Sequence, residues 1–209
     1  MSINPLRVKN VTSAPYQKGA VVYRMCRDIR AHDNEALLYA LEYARTHNAP
    51  LIVEYVIWNY VWTGATRRFY DWVLPSLKEV ESTLRAHNIP LVITLESKKL
   101  FREATSAKAP DEYGAVIFDT LPLHFMKKWK EKMTRDNPSL PIIEIDAHNC
   151  IPVEVLSQKQ EFAAHTIRRK VHEMLPKFLE SFSALTSYKE NEEILQRYPS
   201  INFDTLKES

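Results

Sequence analysis

At 209 residues, 45% of them hydrophobic, the chain can bury one core and is too short for two large domains. A net charge of +2 excludes broad electrostatic attraction to nucleic acid, leaving locally clustered charge as the only route to it. Two distant cysteines, Cys26 and Cys150, lack metal spacing and read as buried thiols in a reducing compartment, and no apolar run nears the ~20 residues of a membrane span. A soluble, intracellular protein of cytoplasm or nucleus is expected.

Residues 1–18 are polar, hold Pro5 and Pro15, and lack a signal-like apolar stretch, so they read as a flexible tail. The first strand is Ala20–Tyr23. A helix follows, with Leu37, Ala40, Leu41 and Ala44 at helical spacing behind Asp33 as its cap. Leu51–Ile57 is the second strand; Phe69, Val73, Leu77, Val80 and Leu84 then trace a long helix that Pro75 should kink. Leu91–Leu95 and Ala115–Phe118 are the next strands. A helix from Pro122 to Arg135 carries Phe125, Met126, Trp129 and Met133 on one side, and Ile142–Ile145 is the fifth strand. Pro50, Pro90 and Pro141 each precede a strand, where a missing donor does least harm. Ser157 and Gln160 resemble a capping box opening a short helix through Ala164, and Thr166 is placed to cap another that packs Ile167, Val171, Leu175, Phe178 and Leu179. Strand–helix alternation of this kind gives an α/β fold, a Rossmann-like doubly wound five-stranded parallel sheet over residues 19–182 with a C-terminal helical extension. Residues 183–209 read as a linker-like tail.

Spacing alone supports no enzyme. The turn after the first strand has no glycine, which excludes a dinucleotide fingerprint, and no nucleophile elbow or His-Glu-x-x-His is present. His148 and Cys150 are badly spaced for a metal, and His148 reads as a loop histidine bonded to backbone. His165 and His172 lack a third ligand, so no metal site and no catalytic residue is assigned. The Met25–Asn34 loop leaves the C-terminal end of a central strand, the edge where open α/β sheets bind ligands. There Arg27, Asp28 and Arg30 either contact a ligand or form an internal ion-pair network. Trp58 and Trp62, with Tyr60, follow the second strand and could wall a chromophore, whereas the other tryptophans suit the core. Lys127, Lys128, Lys130, Lys132 and Arg135 form one basic cluster, and Arg168, Arg169 and Lys170 another. Each is either a phosphate contact or a solvated helix face.

Two stretches carry a family likeness: Met25-Cys26-Arg27-Asp28-Ile29-Arg30 running into Asp33-Asn34, and Asp146-Ala147-His148-Asn149 through Ser157–Glu161 to Thr166–Lys170. With Gly64-Ala65-Thr66, Arg68, Tyr70 and Asp119 with Pro122-Leu123 between them, the chain from about Ala20 to Leu179 resembles the N-terminal half of class II cyclobutane pyrimidine dimer photolyases. The resemblance implies the sheet order 3-2-1-4-5, an α/β half packed on a helical flavin half, and in some members an antenna chromophore, deazaflavin or folate, in the cleft between them. The convergence of three strand exits at one edge puts that cleft at Met25, Arg27, Asp28, Arg30, Trp58, Trp62, Asp146, His148 and Asn149. The chain stops about where the flavin half would begin, so flavin adenine dinucleotide (FAD) is expected only if a separate catalytic domain supplies it. The expectation is a photorepair scaffold or antenna half, inactive alone, whose partner is a flavin-domain polypeptide or another protein. DNA contact is weak and non-specific, through Lys127, Lys128, Arg168, Arg169 and Lys170. Glu154 replaces the family's tryptophan, His124 and His165 replace arginines, and Arg169 replaces proline. The alternative is a stand-alone small-molecule-binding or protein-interaction module descended from that half.

Overall fold

The computed structural model describes residues 3–57, 66–95 and 113–204. A six-stranded sheet runs in the order β1-β6-β5-β2-β3-β4, with β1 Val8–Asn10, β2 Ala20–Met25, β3 Leu51–Ile57, β4 Leu91–Leu95, β5 Tyr113–Asp119 and β6 Ile142–Ile145. The five expected strands are parallel in the expected order, with the first of them, β2, between β5 and β3. The prolines help start these ladders: the carbonyls of Pro50, Pro90 and Pro141 accept from the amides of Val21, Val53 and Val116 at 2.8, 3.0 and 2.9 Å. A residue without an N–H thus still supplies the acceptor its neighbour needs.

Alternation along each strand separates two layers. Val21, Tyr23, Met25, Leu51, Val53 and Ile117 face α1 (Glu35–Thr46) and α2 (Arg67–Ala86), which bury Leu37, Ala40, Leu41, Val73, Leu77 and Leu84 against them. On the opposite face Val116, Phe118 and Ile142 pack against Met126, Trp129 and Met133 of α3 (His124–Asp136). Helix α2 runs through Pro75. Asn34, not Asp33, caps α1, its side chain accepting from the Leu37 amide at 2.9 Å, while Asp33 takes the left-handed turn before it (φ 49°).

Both expected tails are part of the body. β1 adds a sixth strand, antiparallel to β6, and Arg7 beside it is buried. Its Nη1 donates to the carbonyls of Asp146 (2.9 Å) and Asn149 (2.7 Å), its Nη2 to that of Cys150 (2.9 Å), and its Nε lies 2.5 Å from Glu35. Gln17 then bonds the Gly114 carbonyl, and a Cβ at Gly114 would drive into the carbonyl oxygens of Gln17 and Gly19, so only glycine fits. At the other end Asn191 is fully buried: its side-chain oxygen accepts from Leu51 N at 2.9 Å and its amide donates to Leu51 O (2.9 Å) and Asn88 O (2.7 Å). Tyr188 Oη bonds the Ala49 carbonyl at 2.8 Å, and Ile194 and Tyr198 pack near Ala20, Val22 and Ile52. The supposed linker therefore closes the N-terminal edge of the sheet, because it satisfies backbone groups that β3 leaves open.

The helical extension also differs in detail. A one-turn α4 (Val153–Leu156) precedes a loop, and α5 begins at Ala164 and ends at Met174. Ser157 opens no helix; it bonds the Glu161 carboxylate at 2.7 Å. Thr166 lies inside α5 and donates to the Ala163 carbonyl, and Leu179 is exposed where packing was expected. A last short helix, α6 (Glu192–Arg197), lies on the N-terminal edge. Among the described residues no helix is long and apolar enough to cross a membrane.

Candidate functional site at the C-terminal strand edge

The loop after β2 is built around one carboxylate. Asp119, at the end of β5 and fully buried, accepts the consecutive amides of Cys26 (2.7 Å), Arg27 (2.5 Å) and Asp28 (3.2 Å). Tyr23 Oη lies 3.2 Å from the same carboxylate and accepts from the Asn34 side chain at 3.1 Å, so the cluster reaches the cap of α1. Burial pushes the Asp119 carboxyl above its ordinary pKa; the Cys26 and Arg27 amides oppose this, and the Asp28 carboxylate adds to it. Burial, then Asp119, likewise pushes the Cys26 thiol well up, so it is a poor nucleophile at neutral pH. Neither cysteine is the buried thiol expected: Cys26 is half-buried and Cys150 exposed.

Asp28 takes part in the internal network that was one of its two expected roles. Its Oδ1 takes the His148 ring Nδ1 at 2.9 Å and the Arg30 guanidinium at 3.6 Å, which joins the β2 loop to the turn after β6. Its Oδ2 is buried and has no hydrogen-bond partner among the described residues. His148 therefore bonds a carboxylate, not backbone as its spacing suggested. Asp146 holds that turn through Asn149 N and Nδ2 (3.2 and 2.9 Å) and Val153 N (3.0 Å), with Arg7 gripping it from outside.

The structure brings Arg27, Asp28, Arg30, Asp146, His148 and Asn149 to one edge. Met25 belongs to the core at 1% exposure and cannot touch a ligand. Trp58 and Trp62 lie outside the described residues. Of the two described tryptophans, Trp129 is buried against Phe118, whereas Trp72 is 66% exposed on α2 and does not fill the core as expected. Among the described residues no three His, Cys, Asp or Glu side chains are grouped to hold a metal. The basic clusters are partly neutralised: Lys130 pairs with Glu144 (2.7 Å), Lys170 with Glu161 (2.6 Å) and Arg169 with Glu173 (3.3 Å), while Lys127, Lys128 and Arg168 stay exposed. Arg7 and the organising role of Asp119 escaped the sequence reading. The visible signal for Asp119 was an acid closing the apolar run Ala115–Phe118.

Residues 21–188, most of the chain, match the DNA photolyase family. The chain belongs to that family. It is 36% identical over 167 residues to the deoxyribodipyrimidine photo-lyase of Potorous tridactylus, covering 79% of this chain and 31% of that protein. The Arabidopsis thaliana deoxyribodipyrimidine photo-lyase is 29% identical over 214 residues, 99% of this chain and 42% of the relative. The photo-lyase of Methanothermobacter thermautotrophicus is 30% identical over 179 residues, 85% and 39% of the two chains. A crystal structure of an archaeal photolyase from Sulfolobus tokodaii, described with two FAD molecules, superposes with a TM-score of 0.59 at 15% identity, covering 87% of this chain and 42% of that one, and supports the fold. The chain thus spans about a third to two fifths of the photolyases it matches. The photolyase match begins at β2 and ends at Tyr188, so β1 lies outside it and much of the C-terminal closure lies beyond it.

Proposed function

We propose that the chain serves as the α/β half of a class II cyclobutane pyrimidine dimer photolyase, a scaffold and antenna half for DNA photorepair. The carrying observation is the family match over residues 21–188 in a chain that covers 31–42% of its relatives. The class II assignment rests on the Met25–Asn34 and Asp146–Lys170 blocks.

For an antenna chromophore, the orphaned Asp28 Oδ2 fits a ring that brings its own N–H donor. Arg27, Arg30, His148 and Asn149 would hold its polar and anionic parts at the rim. A deazaflavin or a folate has both features, and when bound it would supply visible or near-ultraviolet absorption. Asp119 presets the loop amides, and Arg7 and Asp146 preset the turn, so the site pays little ordering entropy on binding.

The 209 residues by themselves should not repair dimers, because electron transfer from an excited flavin belongs to a helical half that would join as a partner. The test is an absorption spectrum of the 209-residue chain produced alone and offered a deazaflavin, a folate and FAD, followed by light-dependent repair assays. The expected result is an antenna band without stoichiometric FAD, no repair above a dark control, and repair once a helical flavin half is added. Stoichiometric FAD or unaided repair would overturn the reading. The exposed Val153, Phe162, Leu179 and Phe182 favour a second reading, a protein-interaction module that has given up the chromophore; a bare protein spectrum would select it.

A further inference from the structure

A groove of about 1160 Å³ lies beside the antenna edge, on the sheet face that α3 covers only in part. It is lined by Phe118 of β5, by Met126 and other residues of α3, by the Leu6–Val11 segment and by α4. Three large apolar side chains stand at its rim half-exposed, Leu6 at 49%, Leu123 at 48% and Val153 at 58%. Helix α3 lies over β5 and β6, whereas Lys9 of the edge strand has nearly half its side chain in solvent. Among the described residues the β1 end of this face is therefore open, while α6 covers the Ala20, Val22 and Ile52 part of the same face, and the groove exceeds the ~1,000 Å³ of small-molecule pockets.

The groove's charges are unequal in their partnering. Glu144 is paired with Lys130, Glu154 with Lys9, and Asp146 is spent on Asn149 and Val153. Arg27 and Lys127, at the end nearest the antenna edge, make no ion pair or side-chain hydrogen bond among the described residues; Glu131, one turn further along α3, is likewise unpaired. The unspent field is thus positive at one end and negative at the other.

We infer that this groove seats an amphipathic helix of a partner polypeptide, its apolar stripe on Leu6, Leu123 and Val153 and its carboxylates at Arg27 and Lys127. The apolar rim supplies the contact area for a helix-in-groove mode, and the two free cations set its direction. This goes beyond the photorepair reading; it shares Arg27 with the rim of the antenna site, and Lys127 and the apolar rim do not depend on a chromophore.

The test titrates the full chain with a helical peptide of about five turns bearing a leucine stripe flanked by glutamates, and with its twin bearing lysines. Fluorescence anisotropy at two salt concentrations reads the affinity. The acidic peptide should bind at least about tenfold tighter than the basic one at low salt, and the gap should narrow as salt rises. Lys127→Gln should shrink the gap, and Leu123→Ser or Val153→Ser should weaken binding about fivefold or more. All three side chains are exposed, and circular dichroism confirms that the variants fold. Lys78→Gln, on α2, should change nothing. Equal binding of the two peptides, binding of neither, or indifference to Lys127 and Leu123 would overturn the inference. The absorption spectrum is read separately, so failure here leaves the antenna reading standing.

Discussion

Replacing Asp119 by asparagine probes the centre of the site with almost no change of shape. The parent carboxylate faces only groups able to donate: the amides of Cys26, Arg27 and Asp28, and Tyr23 Oη. Asparagine keeps one acceptor oxygen, which can still serve Cys26 and Tyr23, and turns an NH2 toward the Arg27 and Asp28 amides. Two donors then oppose donors, each costing about 1–3 kcal/mol when left unsatisfied. Losing the buried charge returns part of this, because burial already raises the parent's pKa. The expected net loss is about 2–4 kcal/mol, rising to about 3–5 for Asp119→Ala, against about 1–2 for Tyr23→Phe, which removes one donor to Asp119 and one acceptor from Asn34. Equilibrium urea unfolding measures the loss, and amide hydrogen exchange localises it, with protection falling first at Cys26, Arg27 and Asp28. The pH dependence carries a sign as well. A carboxyl whose folded pKa is raised destabilises while ionised, so that component fades as pH falls through the folded pKa, and the asparagine variant should lack it. An Asp119→Asn protein within about 1 kcal/mol of the parent, with all three amides still protected, would refute the reasoning.

Arg7→Ala should cost about 3–5 kcal/mol, because it leaves Glu35 and three carbonyls buried without their cation; urea unfolding and faster exchange across Asp146–Cys150 would show it. Asn191→Ala should cost about 2–4 kcal/mol and expose residues 185–200 to limited proteolysis, since three hydrogen bonds at the start of β3 and the end of α2 depend on that side chain. Glu161 is held down to about 2 by its bonds with Lys170, Ser157 and Thr166, below the ordinary glutamate value of about 4.3. Its folded pKa is depressed, so its contribution is complete above the ordinary value and is lost as pH falls toward 2; Glu161→Gln should flatten an acid titration of the α5 region followed by nuclear magnetic resonance. Duplex DNA should bind at roughly 10⁻⁴–10⁻⁶ M, more weakly with salt and with no preference for a lesion, as titration of damaged and undamaged duplex at two salt concentrations would show.

The parallel sheet was legible because its signal is periodic and local. Continuous apolar runs such as Leu51–Ile57 and Ala115–Phe118, each bounded by a turn, leave little choice about where strands lie. That the loops after β2 and β6 meet at one edge was legible too, because parallel topology gathers every strand's exit at one side. What stayed hidden depends on single polar side chains acting at long range. Arg7 reaches carbonyls 139 to 143 residues away and Asn191 reaches backbone 140 residues away, and neither leaves a pattern in its own neighbourhood. A polar segment with few apolar residues reads as a tail whether or not one asparagine nails it to a strand. His148 was misread for the same reason: its partner, Asp28, is 120 residues off. Trp72 shows the converse error, where an apolar residue inside a helical segment was assigned to the core although α2 turns it outward.

The two edges of the sheet are finished by different chemistry, and that difference bears on function. At the N-terminal edge, the Asn191 and Tyr188 side chains satisfy backbone groups of Leu51, Asn88 and Ala49, leaving the open ends of β3 and α2 occupied. At the C-terminal edge the amides are satisfied inward by Asp119, while the charged side chains of the same residues, Arg27 and Arg30, are left partly in solvent and one oxygen of Asp28 is left without a donor among the described residues. A loop whose backbone is fixed and whose side chains are unspent is prepared for something it does not itself contain. Burying Asp119 beside Asp28 costs electrostatic free energy that a purely structural turn could avoid by using a neutral cap. That cost supports the proposed site at the edge formed by β2, β5 and β6.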